Sequence, residues 1–185
     1  GLSTRDTQGA PDVLRGEETL ALGAELQNGL VILPGTHSKW ISVEAGVMSG
    51  FSTFMTGEFY ATLLGHTILG ALRKEPDAQS GFEKGLRAAE RGGGLTHQAF
   101  AARTAVLVGD MTGEEVAPFL SGLLIGAEIE NACALYPNTS TITLIAEGVI
   151  AENYKTALKA KGLTCNVKTP ETAFIKGLLQ LTPKG

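Results

Sequence analysis

The sequence is poor in the residues that build the commoner kinds of site. Its two cysteines, Cys133 and Cys165, stand far apart and outside any Cys-x-x-Cys. That excludes a disulfide framework and reads as a pair of reduced, buried thiols. The three histidines, His37, His66 and His97, show no metal-ligand spacing, so no metal-binding residue is assigned to this chain. No run of Lys or Arg offsets the net charge of −4, which argues against nucleic acid as a partner. No uninterrupted apolar stretch reaches about twenty residues, and no signal-peptide pattern appears. The expectation is a chain that stays out of the membrane, in the cytoplasm. Neither GxxxxGK[ST] nor a GxGxxG after a strand occurs, which removes a Walker A loop and a dinucleotide-binding oxidoreductase.

What is present describes an ordinary globular chain, 43% hydrophobic and 18% charged, with 24 glycines spread over turns and helix ends. Its 185 residues suit one domain or two small ones and can bury a real core. The opening, "GLSTRDTQGAPD", is polar and turn-rich and reads as the interior of a longer sequence.

A helix is expected over Gly16–Leu26, then three strands, Leu30–Leu33, Lys39–Glu44 and Val47–Phe54. Their connections are too short for anything but antiparallel neighbours, so they form a meander. Thr56 is expected to cap a helix running to Lys74, and Ser80 with Glu83 to form a capping box for the next helix. A third helix covers Leu95–Gly109, and Thr112 with Glu115 opens a long fourth one through Tyr136. The period then changes. Thr141–Ala146 is a strand, Val149–Gly162 a helix, Leu163–Thr169 a strand, and Pro170–Leu181 a helix with Thr169 as N-cap and Pro170 at its first position. This order, βββ, a helical block, then αβαβα, predicts an α/β fold with a mixed sheet: an antiparallel meander extended by parallel strands.

Four segments carry candidate chemistry. The turn Gly35-Thr36-His37-Ser38-Lys39 offers bare amides, two hydroxyls, an imidazole and an ammonium, which are groups that bind anions. Glu17 and Glu18 open a helix just before the first strand. A first-turn acid serves the helix dipole, yet a carboxylate beside a bound phosphate is also what a phosphoryl transferase needs in order to take a hydroxyl proton. Gly148 sits at a strand-to-helix junction, where α/β sheets bind nucleotides. Ser121, Gly122 and Gly126 are spaced for close helix packing, which needs no ligand.

Read together, "LRGEETLALGA", "LPGTHSKWISV", "FSTFMTGEFYATLLGHTILG" and "FLSGLLIGAEI", in that order, resemble the 2-dehydro-3-deoxygalactonokinases of the sugar-kinase, hexokinase and actin superfamily. The resemblance implies a ribonuclease H-like lobe of actin type, residues 1–185, with a helical insertion at about 56–109. It implies ATP and Mg²⁺ as cofactors and phosphorylation of 2-dehydro-3-deoxy-D-galactonate on its 6-hydroxyl, in galactonate breakdown. Gly35, Thr36, His37 and Lys39 would face the nucleotide phosphates, Gly148 the adenosine, and Arg15, Thr56 and Glu58 the sugar acid. Glu17 or Glu18 would be the catalytic carboxylate, with Glu17 favoured. "FLSGLLIGAEI" would be a connecting helix at the hinge between two lobes. The lobe bearing an Asp-x-Gly-Ser/Thr loop has no counterpart here, so this chain looks like a C-terminal lobe whose N-terminal partner is absent, with a homodimer left open. The competing reading is a non-catalytic nucleotide-binding or association module of the same superfamily.

Overall fold

The computed structural model describes residues 1–6, 9–137, 139 and 141–182. They form two compact units, one of Gly1–Phe54 with the segment from Ala134 onward, the other Met55–Cys133.

The first unit is built on a five-stranded sheet. Its strands are β3 (Gly29–Leu33), β4 (Ser38–Glu44), β5 (Val47–Phe54), β6 (Ile142–Ile145) and β7 (Asn166–Lys168), in the spatial order β5-β4-β3-β6-β7. The three-strand meander is antiparallel, while β6 runs parallel to β3 and β7 parallel to β6. The β4–β5 turn is Ala45-Gly46, both at positive φ, as a two-residue hairpin requires. The central strand β3 buries Leu30, Val31, Ile32 and Leu33, the continuous apolar run of a strand covered on both faces. On one face Val31, Leu33, Ile41, Val43 and Phe51 join Ala21 and Ala24 of α1 (Glu17–Gly23) and its C-terminal end, and Ala173 of α7 (Pro170–Leu181). These two helices touch backbone to backbone. A β-carbon at Gly23 would lie 1.7 Å from the Ala173 carbonyl oxygen, and one at Gly177 1.9 Å from that of Thr19. On the other face α6 (Gly148–Ala160) makes the β6–β7 crossover, and its buried Tyr154 hydrogen-bonds Ser38 Oγ at 3.0 Å.

The opening stretch read as loop contains a hairpin, β1 (Leu2–Arg5) paired antiparallel with β2 (Pro11–Leu14); Thr7 and Gln8 lie outside the described residues. α1 starts at Glu17 rather than Gly16, because Gly16 has φ 111° and acts as N-cap. α7 begins as read, with Thr169 Oγ1 accepting from the Thr172 amide at 3.2 Å.

The second unit is helical: α2 (Thr56–His66), α3 (Ser80–Ala89), α4 (Gly94–Val108) and α5 (Val116–Leu135). α2 stops eight residues short of the expected Lys74, and its N-cap is Met55, not Thr56. Ser80 does not cap α3. It donates instead to Glu115 Oε1 at 2.7 Å. The Thr112–Glu115 capping box is formed, on a 3₁₀ turn that leads into α5. The glycines of α5 are filled by α3, since a β-carbon at Gly122 would sit 2.1 Å from the Phe82 carbonyl oxygen and one at Gly126 2.8 Å from Ala89 Cβ. Packing within the helical unit thus accounts for that stripe. By length and composition Gly113–Leu135 is apolar enough to cross a membrane, but it is mostly buried as a core helix. Cys133 and Cys165 are half-buried rather than fully buried, and neither is in a disulfide.

Candidate active site

Parallel pairing places two chain crossings at one edge of the first unit's sheet. Ile32 of β3 lies opposite Leu144 of β6, so the strands end together. Beyond them Pro34-Gly35-Thr36 and Ala146-Glu147-Gly148 leave the sheet side by side. Loops at the carboxyl ends of parallel strands, where the sheet changes direction, are where such folds bind ligands.

Gly35, Thr36 and His37 are exposed between the buried Leu33 and Ser38. A β-carbon on Gly35 would meet only the His37 carbonyl oxygen, at 3.9 Å, and its φ is not in the left-handed region. Nothing in the fold demands glycine there. Gly148 differs: its φ of +60° calls for glycine, although a β-carbon would find open space. Val149 and Ile150, next along α6, are exposed.

The acidic turn is brought to the same edge by β2. Lys39, paired with Leu33 across the hairpin, is 6% exposed. Its ammonium donates to the Val13 carbonyl oxygen at 3.1 Å and to Thr53 Oγ1 at 2.8 Å. Lys39 is therefore turned into the fold, not out among Gly35–His37. Two residues beyond Val13 the chain reaches Arg15, whose side chain is exposed. Its amide donates to Glu17 Oε2 at 2.6 Å, and the Gly16 amide donates to Glu18 Oε2 at 2.7 Å. Amides of Glu18 itself and of Gly16 hold the Glu18 carboxyl below its ordinary value. Glu18 thus behaves as the electrostatic cap of α1, and Glu17 is the less committed acid of the pair.

Thr56 and Glu58 lie in the first turn of α2, in the helical unit. The Thr56 hydroxyl donates to Glu128 Oε2, a carboxylate buried within α5. Sequence reasoning missed Asp12 and Thr53, which share this part of the first unit with Lys39. Asp12 accepts from the Thr53 amide at 2.7 Å and from its hydroxyl at 2.6 Å. Asp12 carried no signal, because its strand is four residues long and begins at a proline.

The residues present do not fit a magnesium site of their own. Among the described residues no three His, Cys, Asp or Glu side chains converge, and Glu17 and Glu18 each have one carboxylate oxygen taken by a backbone amide.

The family model for 2-keto-3-deoxy-galactonokinase matches residues 1–181. The chain is 34% identical over 170 residues to the 2-dehydro-3-deoxygalactonokinase of Escherichia coli (strain K12), covering 90% of this chain and 58% of that protein. A Rhizobium meliloti (strain 1021) protein described as a probable 2-dehydro-3-deoxygalactonokinase is 37% identical over 187 residues, with 96% and 61% covered. The crystal structure of a Sinorhizobium meliloti protein assigned the same activity superposes with a TM-score of 0.88 at 36% identity, covering 97% of this chain and 62% of that one. The chain thus spans about three fifths of the length of these relatives. Component A of the Acidaminococcus fermentans (R)-2-hydroxyglutaryl-CoA dehydratase, at 16% identity and TM-score 0.56, shares the fold alone, over 90% of this chain and 65% of that one. That fold is the actin-like one, and the β5-β4-β3-β6-β7 order is its ribonuclease H-like sheet. A match running from the β1–β2 hairpin to the end of α7 takes in both units and every segment of the sheet edge, and the chain belongs to the 2-keto-3-deoxy-galactonokinase family.

Proposed function

We propose that this chain is the C-terminal lobe of a two-lobed cytoplasmic sugar-acid kinase. It would transfer the γ-phosphoryl group of ATP to the 6-hydroxyl of 2-dehydro-3-deoxy-D-galactonate, in galactonate breakdown. The observation that carries the reading is Gly35. It is an exposed glycine that neither its φ nor its neighbours require, at the edge where β3 and β6 end together. A glycine without a structural reason fits a backbone that a ligand must approach closely. The amides of Gly35 and Thr36 and the Thr36 hydroxyl would receive the phosphates, and the exposed Gly148–Ile150 turn the nucleoside. Arg15, beside the acids, would meet the carboxylate of the sugar acid. The Thr56 hydroxyl is already engaged by Glu128.

In the transfer, the sugar hydroxyl oxygen bonds to the γ-phosphorus as the bond from that phosphorus to the bridging oxygen of ADP breaks. The hydroxyl proton passes to Glu17. The bond from the Arg15 amide to Oε2 orients this carboxylate and leaves its other oxygen to receive the proton. Such chemistry depends on positioning and charge more than on covalent help from the protein. Magnesium accompanying the nucleotide would take its ligands from the phosphates, water and groups beyond this chain.

The test is Glu17→Gln in the full-length kinase. Loss of a general base costs on the order of a hundred- to ten-thousand-fold in kcat, with little change in the KM for ATP. Normal turnover in Glu17→Gln with Glu18→Gln inactive would move the role one residue along. Activity in both variants would remove the acidic turn from the chemistry.

A further inference from the structure

The buried ammonium of Lys39 joins the two segments assigned to the site without facing the exposed tip of either. We infer that Lys39 is a positioning residue, which fixes the Glu17 turn against the root of the Gly35-Thr36 hairpin by holding the Val13 carbonyl. This rests on the reading of Glu17 as base. Lys39 is the first residue of β4 after Ser38 and pairs with Leu33, the last residue before the hairpin loop. It also lies opposite Thr53 on β5. Its ammonium reaches Val13 at 3.1 Å and Thr53 Oγ1 at 2.8 Å, and the Thr53 hydroxyl donates onward to Asp12 Oδ1 at 2.6 Å. A lysine 6% exposed is costly to bury unless its charge is answered, and the Thr53 hydroxyl links it to the Asp12 carboxylate. Asp12 holds the Thr53 amide as well, at 2.7 Å. β2 is therefore fastened to β4 and β5 at two consecutive residues, and the chain leaves that clamp directly into Leu14, Arg15, Gly16 and Glu17. Displacing a reacting group by about 1 Å costs as much as a hundredfold in rate.

The test is a double-mutant cycle in the full-length kinase, with ADP release as readout. Lys39→Met should lower kcat by about ten- to a hundredfold while the KM for ATP stays within about threefold. In the Glu17→Gln background the same change should cost nothing further, because a tether acts only through the group it positions. Thr53→Val, which keeps the shape and removes the link to Asp12, should show the same pattern in milder form and remains informative should Lys39→Met fail to fold. Three results overturn the inference: a rise in the KM for ATP with kcat unchanged, which would make Lys39 a phosphate ligand; full additivity with Glu17→Gln; or unchanged kinetics in both variants. A fully active Glu17→Gln refutes the base assignment and the tether with it. A slow Glu17→Gln with additive Lys39→Met refutes the tether alone.

Discussion

Gly35 is the position at which stability can be separated from the proposed function. A methyl group there has 3.9 Å of clearance and an ordinary φ to occupy. Gly35→Ala should leave the unfolding midpoint within a few degrees, or raise it slightly through the unfolded chain. The same methyl stands where phosphates would approach the backbone, so ATP affinity should fall at least about tenfold. Thr36→Val removes one hydroxyl, and a hydrogen bond to a charged group contributes about 1.5–3 kcal/mol, or roughly ten- to a hundredfold in affinity. Isothermal titration with ATP and a thermal melt on the same samples read both quantities. Unchanged affinity in both variants would return the turn to a structural role. Glu18 gives the opposite kind of residue. Its carboxyl is held low by backbone amides, so its stabilisation of α1 is complete above the ordinary carboxylate value of about 4.3 and is lost as pH falls through the lower folded value. Glu18→Gln should cost about 1 kcal/mol at neutral pH and progressively less in acid, measured by denaturant unfolding.

Among elements, the helical unit shows which glycines packing demands. Gly85 of α3 faces α5 so closely that a β-carbon would lie 2.1 Å from the Phe119 carbonyl oxygen, whereas Gly65 of α2 faces open space. Gly85→Ala should destabilise by about 2–4 kcal/mol through forced separation of the two helices. Gly65→Ala should be neutral or stabilising by up to about 1 kcal/mol. Glu115 ties α3 to the 3₁₀ turn before α5 through Lys84 at 2.9 Å, Ser80 at 2.7 Å and the Thr112 amide at 3.0 Å. Burial opposes its ionisation, but these partners prevail and keep its carboxyl below the ordinary value.

The same elements show what could be read in the sequence. The meander, its Ala45-Gly46 turn, the Thr112–Glu115 box and the Thr169-Pro170 start of α7 are local patterns, set by residues within a few positions of one another. Ser80 reads as a cap for the same local reason, yet its hydroxyl is taken by Glu115, thirty-five residues on. The β1–β2 hairpin escaped notice because four-residue strands with a proline show no period. At the candidate site, Gly35 and the Glu17-Glu18 pair stand out in the sequence as residue types in a suggestive order. The inward turn of Lys39 was not, since Val13 and Asp12 lie twenty-six and twenty-seven residues before it and are fastened there only by the folded sheet.

At the scale of the molecule, the proposal is that these 185 residues form one lobe of a two-lobed enzyme. The chain spans 58–62% of the length of the relatives it matches. Phosphoryl transfer needs the phosphates held from both sides and water expelled as the lobes close. On the proposed reading the Gly35-Thr36 hairpin and the Glu17 turn would form one side of such a site. The most direct measurement is a coupled ADP-release assay on the purified 185-residue chain with ATP, Mg²⁺ and 2-dehydro-3-deoxy-D-galactonate, repeated after adding the N-terminal segment of the same kinase in trans. The expected result is no turnover from the chain alone and turnover on recombination, abolished by Glu17→Gln in the 185-residue partner. Turnover by the 185-residue chain alone would contradict it.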